Sequence, residues 1–477
     1  MKNIYITTTL PYVNAKPHIG FAREVVQADA LARFYRILGY EVFFNTGTDE
    51  HGQKILQKAQ AENLKLQTYV DQWAEKFRNV KEELNLSYDH FIRTTDKEHL
   101  TAAQEFWEIC NKNGFIYKKE YQAKYCVGCE LEKTDSELVN GKCADHPNQE
   151  LELRREENYF FKFSAFQEKL LEFYKKNSEF VLPAKRFNEI KQFVANGLED
   201  FSISRLKEKM SWGIEVPGDK EQVMYVWFDA LVNYISTLGW PKTSKNKDNL
   251  FQKFWENSTE RFQFCGKDNL RQQSAMWQAL LLAAGIKNSS RILINGFITV
   301  NGQKMSKSLG NVIAPDEMKA RYDTDGTRYL LLTAGSFGED TDITWERMDE
   351  KYNADLANGI GNLISRVIKL SEEIDWQTQK SVVDWNNWEK QLAQGDFDQI
   401  LKDIWVKIKT TDKLMEEKKP WELKKKDKKE FEKVMNDLLG NIKWIGQALQ
   451  PFLPETAEKI AKAIRKRKTE PLFKRLK

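Results

Sequence analysis

Ile4-Tyr5-Ile6-Thr7-Thr8-Thr9 is a β-branched and aromatic run, and it opens into a loop punctuated by Pro11, Asn14, Pro17 and Gly20. Phe21, Val25, Ala28, Ala32 and Tyr35 then recur at helical spacing, Gly39 stands where a C-terminal cap is expected, and Glu41-Val42-Phe43-Phe44 begins a second strand. Strand, helix and strand in that order predict a parallel βαβ unit and hence an α/β fold. A second such stretch lies far downstream. Gln263-Phe264-Cys265 precedes a helix-like run through Ala284, and Arg291-Ile292-Leu293-Ile294 is another short apolar strand. The parallel sheet is expected to be assembled from these two separated pieces.

Between them, from about Phe115 to Met210, lie a cysteine cluster, aromatic strand candidates such as Tyr159-Phe160-Phe161-Lys162-Phe163, and amphipathic helices, which together read as an inserted domain. After about Asp349 the β signal fades. Periodic segments around Leu356 to Leu370, Ile400 to Met415 and Phe431 to Leu449 predict an all-α bundle. The 477 residues are enough for about three domains. With 74 basic residues against 70 acidic, the net charge of +4 is too mild to identify a nucleic-acid binder, so any basic footprint must be local. Lys424 to Lys429 and Arg465 to Lys468 are the strongest charge runs; each reads as a solvated helix face or as an RNA contact.

The N-terminus lacks the apolar core of a secretory signal, and no window is long and apolar enough to span a bilayer. A cytoplasmic location is the default expectation, and there clustered cysteines read as metal ligands rather than disulfides. Cys126-Val127-Gly128-Cys129 and Cys143-Ala144-Asp145-His146 can offer three thiolates and one imidazole to a tetrahedral ion, expected to be a single structural zinc. Cys110 and Cys265 lie outside that spacing and are expected to be buried thiols.

Two segments carry chemistry. His18-Ile19-Gly20-Phe21 stands at the start of a helix, where unpaired N–H groups, a glycine and an imidazole suit a phosphate; alone, such a histidine reads as a cap or a packing residue. Gly302-Gln303-Lys304-Met305-Ser306-Lys307-Ser308-Leu309-Gly310 sets two lysines three apart in a glycine-flanked loop, suited to closing over a polyphosphate as charge moves onto the leaving group.

Together these segments resemble the HIGH and KMSKS signatures of the class I aminoacyl-tRNA synthetases. The resemblance implies ATP, with Mg2+, bound between them, formation of an aminoacyl-adenylate and pyrophosphate, and transfer of the aminoacyl group to tRNA. By carry-over, His18 and Gly20 bind ATP and steady its phosphates, Lys304 and Lys307 meet the pyrophosphate, and Gly266 with Asp268 lies where the ribose is held. The fourth HIGH position is Phe21, which has no donor for a bond worth about 1.5–3 kcal/mol when one partner is charged.

The resemblance extends over nearly the whole chain and narrows to the methionyl-tRNA synthetases. Leu10-Pro11-Tyr12, Thr46-Gly47-Thr48-Asp49-Glu50-His51-Gly52 and Tyr225-Val226-Trp227-Phe228-Asp229-Ala230 match segments of that family. They imply methionine contacts from Leu10, Tyr12, Asp49, which would hold the α-ammonium group, Trp227, Tyr234 and Gln273. An aromatic-lined pocket with one hydroxyl suits a polarizable thioether, although such aromatics also serve as ordinary core. Asn269, Gln273 and Asn295 depart from the family's usual aliphatic residue, histidine and histidine. In the helical part, Asn362, Arg366 and Trp421 match the positions that read the anticodon CAU, the tryptophan by stacking on a base.

The resemblance therefore implies a methionine–tRNA ligase acting on L-methionine, ATP and tRNA(Met), with no membrane partner and expected to be a monomer. Its expected domains are a Rossmann-like catalytic domain in two halves, 1–115 and 211–320, a zinc-bearing insertion at 116–210, a stem-contact connector at 321–349 and the anticodon-binding bundle at 350–477. A catalytically silent RNA-binding relative is the alternative from another class, and the cysteinyl enzyme is the nearer rival among ligases.

Overall fold

The computed structural model describes residues 2–129, 131–133, 138–241, 249–305, 310–372, 382–468 and 470–476. Its centre is a six-stranded parallel sheet. The strands are β1 (Asn3–Thr8), β2 (Glu41–Thr48), β3 (His90–Arg93), β4 (Val181–Leu182), β5 (Glu260–Gly266) and β6 (Arg291–Asn295), in the spatial order β3-β2-β1-β5-β6-β4. Every pairing is parallel. Both faces are covered, so the strands read as near-continuous apolar runs, and their period-two alternation divides two cores. Ile4, Ile6, Phe262, Phe264 and Leu293 belong to one cluster, while Tyr5, Cys265, Ile292 and Ile294 belong to the other.

Helix α1 (Ile19–Ile37) joins β1 to β2 and is buried almost all round, including Arg23, Glu24, Gln27 and Asp29. It lies between the sheet and the helix Pro315–Leu332, so its polar residues have partners inside the protein rather than solvent. Arg328 from that second helix pairs with Asp29 at 2.8 Å, both fully buried, and donates to the carbonyls of Leu84 and Phe452. One arginine thus ties α1, the end of helix Leu66–Glu83 and the C-terminal bundle together.

The insertion rests on a long antiparallel pair, Ile116–Cys126 with Glu152–Phe161, in register from Ile116↔Phe161 to Tyr125↔Glu152. Its aromatic end packs into the second core through Phe161, Phe163 and Phe166. β4 comes from the stretch read as insertion yet pairs with β6 at the sheet edge; two residues carry too little periodicity to be seen in advance. Among the described residues no strand follows Ile343, and the helices Asn362–Leu370, Phe397–Lys418, Lys428–Ala448 and Pro454–Lys466 form the expected bundle. Its apolar faces merge with the first core, so sheet and bundle share one continuous interior. No helix among the described residues is long and apolar enough to cross a membrane.

Candidate active site and metal centre

The strand order diverges next to β1, with β2 on one side and β5 on the other, and a crevice outside the carboxyl ends of these strands is where open α/β sheets bind ligands. Several of the residues singled out in the sequence border it. His18 caps α1, its Nδ1 accepting the N–H of Gly20 at 3.0 Å. With Nδ1 occupied as an acceptor, the neutral ring carries its proton on Nε2. The crowding of protein around the ring lowers its pKa, opposed by the Asp268 carboxylate. A Cβ on Gly20 would lie 2.8 Å from the His18 ring and 3.9 Å from Met305 Cε, so only glycine leaves the imidazole this position.

Phe21 does not face the same way. It is 9% exposed and meets Phe77 edge-on, with centroids 5.4 Å apart, so the ring belongs to the contact between α1 and helix Leu66–Glu83. The substitution exchanges a donor for core packing.

Gly266 ends β5 and Asp268 follows it in a short 3-10 turn, exposed at the crevice. Lys304, on the short strand Gln303–Lys304, sets its ammonium 4.9 Å from the centre of the Phe297 ring. Lys267 approaches the same ring at 4.2 Å and pairs with Asp340 at 2.6 Å. The Phe297 ring thus meets two cations. Lys307 lies outside the described residues.

Leu10 and Tyr12 follow β1, and Tyr12 bridges in parallel to Asp49 at the end of β2. Asp49 is buried, with its backbone N–H on the Pro11 carbonyl at 3.0 Å. Trp227 is half-buried on the helix Val226–Leu231. Tyr234 is buried, and its hydroxyl accepts the Gln273 side-chain N–H at 2.7 Å. Asn295 ends β6 nearby, opposite Gly266.

Two features of this region escape sequence reasoning. Glu24 is buried one and a half turns along α1 from His18, accepting the Thr9 N–H at 2.7 Å, and desolvation pushes its pKa up to about 8. Asp229 lies between His51 and His99 in the interior. A glutamate within a helix reads as surface, so no local signal marks Glu24; the Asp-Glu-His of residues 49–51 is the only pointer to the second. A carboxyl whose folded pKa lies above its unfolded value adds stability that is complete below about pH 4.5 and is lost as pH rises through about 8. Glu24→Gln keeps the acceptor for Thr9 and removes the charge. Denaturant unfolding at pH 9 is expected to show it more stable by on the order of 2 kcal/mol, with the gain absent at pH 5.

The metal centre is compact. One ligand atom from each of Cys126, Cys129, Cys143 and His146 lies within 4.8 Å of all the others. Cys129 Sγ is 3.2 Å from His146 Nδ1 and 3.3 Å from Cys143 Sγ. A Cβ on Gly128 would fall 2.4 Å from the His146 ring, so the glycine between the first two cysteines makes room for the imidazole. Three thiols and an imidazole this close suit a four-coordinate ion with no open position. Lys54, on the helix Gln53–Ala61 just after the Asp49 segment, donates to the Gly128 carbonyl at 2.7 Å and fastens the knuckle to that helix. Cys110 and Cys265 are buried free thiols.

On the bundle, the Arg366 guanidinium lies 5.5 Å from the centre of the Trp421 ring and pairs with Glu416 at 2.5 Å. Asn362 is exposed one turn before Arg366, and Trp421 is 36% exposed just after Pro420 begins a helix. An amide, a guanidinium and an accessible indole therefore share one surface.

A family model described as tRNA synthetases class I (M) matches residues 4–150 and 132–368. The methionine–tRNA ligase of Caldanaerobacter subterraneus is 37% identical over 476 residues, covering 96% of this chain and 73% of that one. That of Thermosynechococcus vestitus is 37% identical, covering 95% and 88%. Mycobacterium tuberculosis methionyl-tRNA synthetase in complex with methionyl-adenylate superposes with a TM-score of 0.89 at 33% identity, over 97% of this chain and 93% of that one; its apo form gives 0.80. With relatives that match over nearly the whole of it, the chain belongs to the class I tRNA synthetases, in the methionine–tRNA ligase family.

Proposed function

We propose that the crevice between β1 and β5 activates methionine with ATP and then passes the methionyl group to the 3′ end of tRNA(Met), initiator and elongator. The observation that carries this reading is the meeting of the α1 N-terminus with the strand of Lys304 at the sheet's switch point, where Met305 Cε comes within 3.9 Å of a Cβ position on Gly20. ATP, with Mg2+, lies along this edge. Asp268 and Gly266 take the ribose, and His18 donates from Nε2 to a phosphoryl oxygen as the methionine carboxylate attacks the α-phosphate. Lys304 and Lys307 neutralise the departing pyrophosphate.

Methionine sits with its ammonium on Asp49 and its side chain among Leu10, Tyr12, Trp227 and Tyr234. Because Tyr234 already accepts from Gln273, its own proton is free to point at the thioether, and Gln273 supports it without a titratable charge. Methionine-dependent ATP–pyrophosphate exchange across a panel of amino acids tests this reading; leucine or cysteine outperforming methionine overturns it.

Zinc in the Cys126, Cys129, Cys143 and His146 site would supply folding energy to the insertion and take no part in the chemistry. We assign residues 1–115 and 211–320 to catalysis, 116–210 to the insertion, 321–349 to stem contact and 350–477 to the anticodon, in a cytoplasmic monomer. Asn362, Arg366 and Trp421 would read the anticodon, the indole stacking on an unstacked base. Stacking of that kind contributes about 1–3 kcal/mol, so Trp421→Ala is expected to lower tRNA charging roughly 10- to 100-fold in kcat/KM and leave amino-acid exchange unchanged. Equal loss in both assays would assign the residue to folding.

A further inference from the structure

Between the segments of Asp49 and Trp227 the structure places a buried trio, His51, Asp229 and His99. Asp229 is fully buried, two residues after Trp227 on the same short helix. His51, two residues after Asp49, brings Nδ1 to 3.1 Å from Asp229 Oδ2. From the opposite side His99, on helix Lys97–Lys112, faces Asp229 Oδ1 with Nε2 at 3.6 Å, an electrostatic contact longer than a hydrogen bond. The other nitrogen of His99 meets Ser236 Oγ at 2.9 Å, and Ser236 shares the helix Asn233–Ser236 with Tyr234.

A carboxylate in the interior persists only when paired, and among the described residues the ion-pair partners of Asp229 are these two histidines. Burial alone would raise its pKa, yet the charge and hydrogen bond of His51, with His99 behind it, outweigh that and hold the carboxyl below its ordinary value. The Trp212 ring centre lies 5.3 Å from that of His51. Three segments that are remote in sequence, the end of β2, the helix of His99 and the consecutive short helices of Trp227 and Tyr234, are thereby tied to one charged centre.

We propose that His51, Asp229 and His99 form a positioning network for methionine, a strut that sets the distance between the ammonium site at Asp49 and the side-chain pocket at Trp227 and Tyr234. The inference rests on the reading of those three residues as methionine contacts. None of the network's members touches substrate; they act through the segments they join, and the network fixes what length of amino acid spans the two sites.

The test uses full-length protein in the exchange assay, with KM measured separately for methionine and ATP. His51→Ala is expected to raise the methionine KM at least about tenfold with the ATP KM within about twofold. His51→Asn, whose amide nitrogen can stand where Nδ1 stood, should return the methionine KM to within about threefold of the parent. Where His51→Ala is unstable, His99→Ala against His99→Gln makes the same comparison through the Nε2 position. Methionine and ATP KM rising together, an unchanged methionine KM, or no rescue by the amides overturns the network. Absence of methionine-dependent exchange in the parent protein overturns the underlying reading instead.

Discussion

His18→Ala is expected to lower kcat for methionine-dependent ATP–pyrophosphate exchange by about 10²–10³-fold, with the methionine KM nearly unchanged. That loss corresponds to about 2.7–4 kcal/mol, the range for removing one preorganised donor from a site where negative charge develops. The geometry explains why so much rests on one ring. Its Nδ1 is held by the Gly20 N–H, so the ring orientation is set before ATP arrives and Nε2–H is presented to the crevice. Depression of its pKa keeps the imidazole neutral, and protonation at Nδ1 would break the bond that orients it. The exchange rate should therefore fall on the acid side, at a pH below the ordinary histidine value, and that limb should vanish in His18→Ala. A parent-like rate in the variant would remove His18 from the chemistry and return it to the role of a helix cap.

Stripping the metal is the other large effect. Structural zinc sites of this donor set contribute on the order of 10 kcal/mol to the folding of the segment they close. Chelation at neutral pH, or Cys143→Ser, is expected to release backbone hydrogen-exchange protection in the insertion around Ile116–Cys126 and Glu152–Phe161 while leaving β1, β2 and β5 protected. Those strands are sealed by the two large apolar cores rather than by the knuckle. Activity should fall as well, because Lys54 links the knuckle to the segment after Asp49. Since thiolates must lose their protons to bind, metal retention should weaken as pH falls. Retained protection across the insertion in metal-free protein would sink the structural role.

Some of the site was legible because its spacing is local. Cys126, Cys129, Cys143 and His146 fall within 21 consecutive residues, and a hairpin is all that is needed to close them into 4.8 Å. The βαβ start was legible because strands covered on both faces are apolar throughout, and the helix that joins them begins at a histidine and ends before a glycine. Arg366 and Trp421 were reached only through resemblance. They lie 55 positions apart, and their stacking follows from how two bundle helices pack. The two residues of β4 gave no periodic signal, and their place at the sheet edge comes from pairing with β6.

By itself the sequence determined the fold class, the two halves of the sheet, the metal quartet and the family, since each is written in short-range periodicity or in short strings of residues. The tertiary structure decided which charged groups are inside. Glu24, Asp29 and Asp229 look like surface carboxyls in the sequence, and only the elements packed over them make one protonated near neutral pH, one the partner of Arg328 and one the charged centre between two histidines. It also turned Phe21 from a missing donor into a core contact with Phe77. The physical reason is common to all four: desolvation and pairing depend on what closes around a side chain, and that is a property of distant segments brought together.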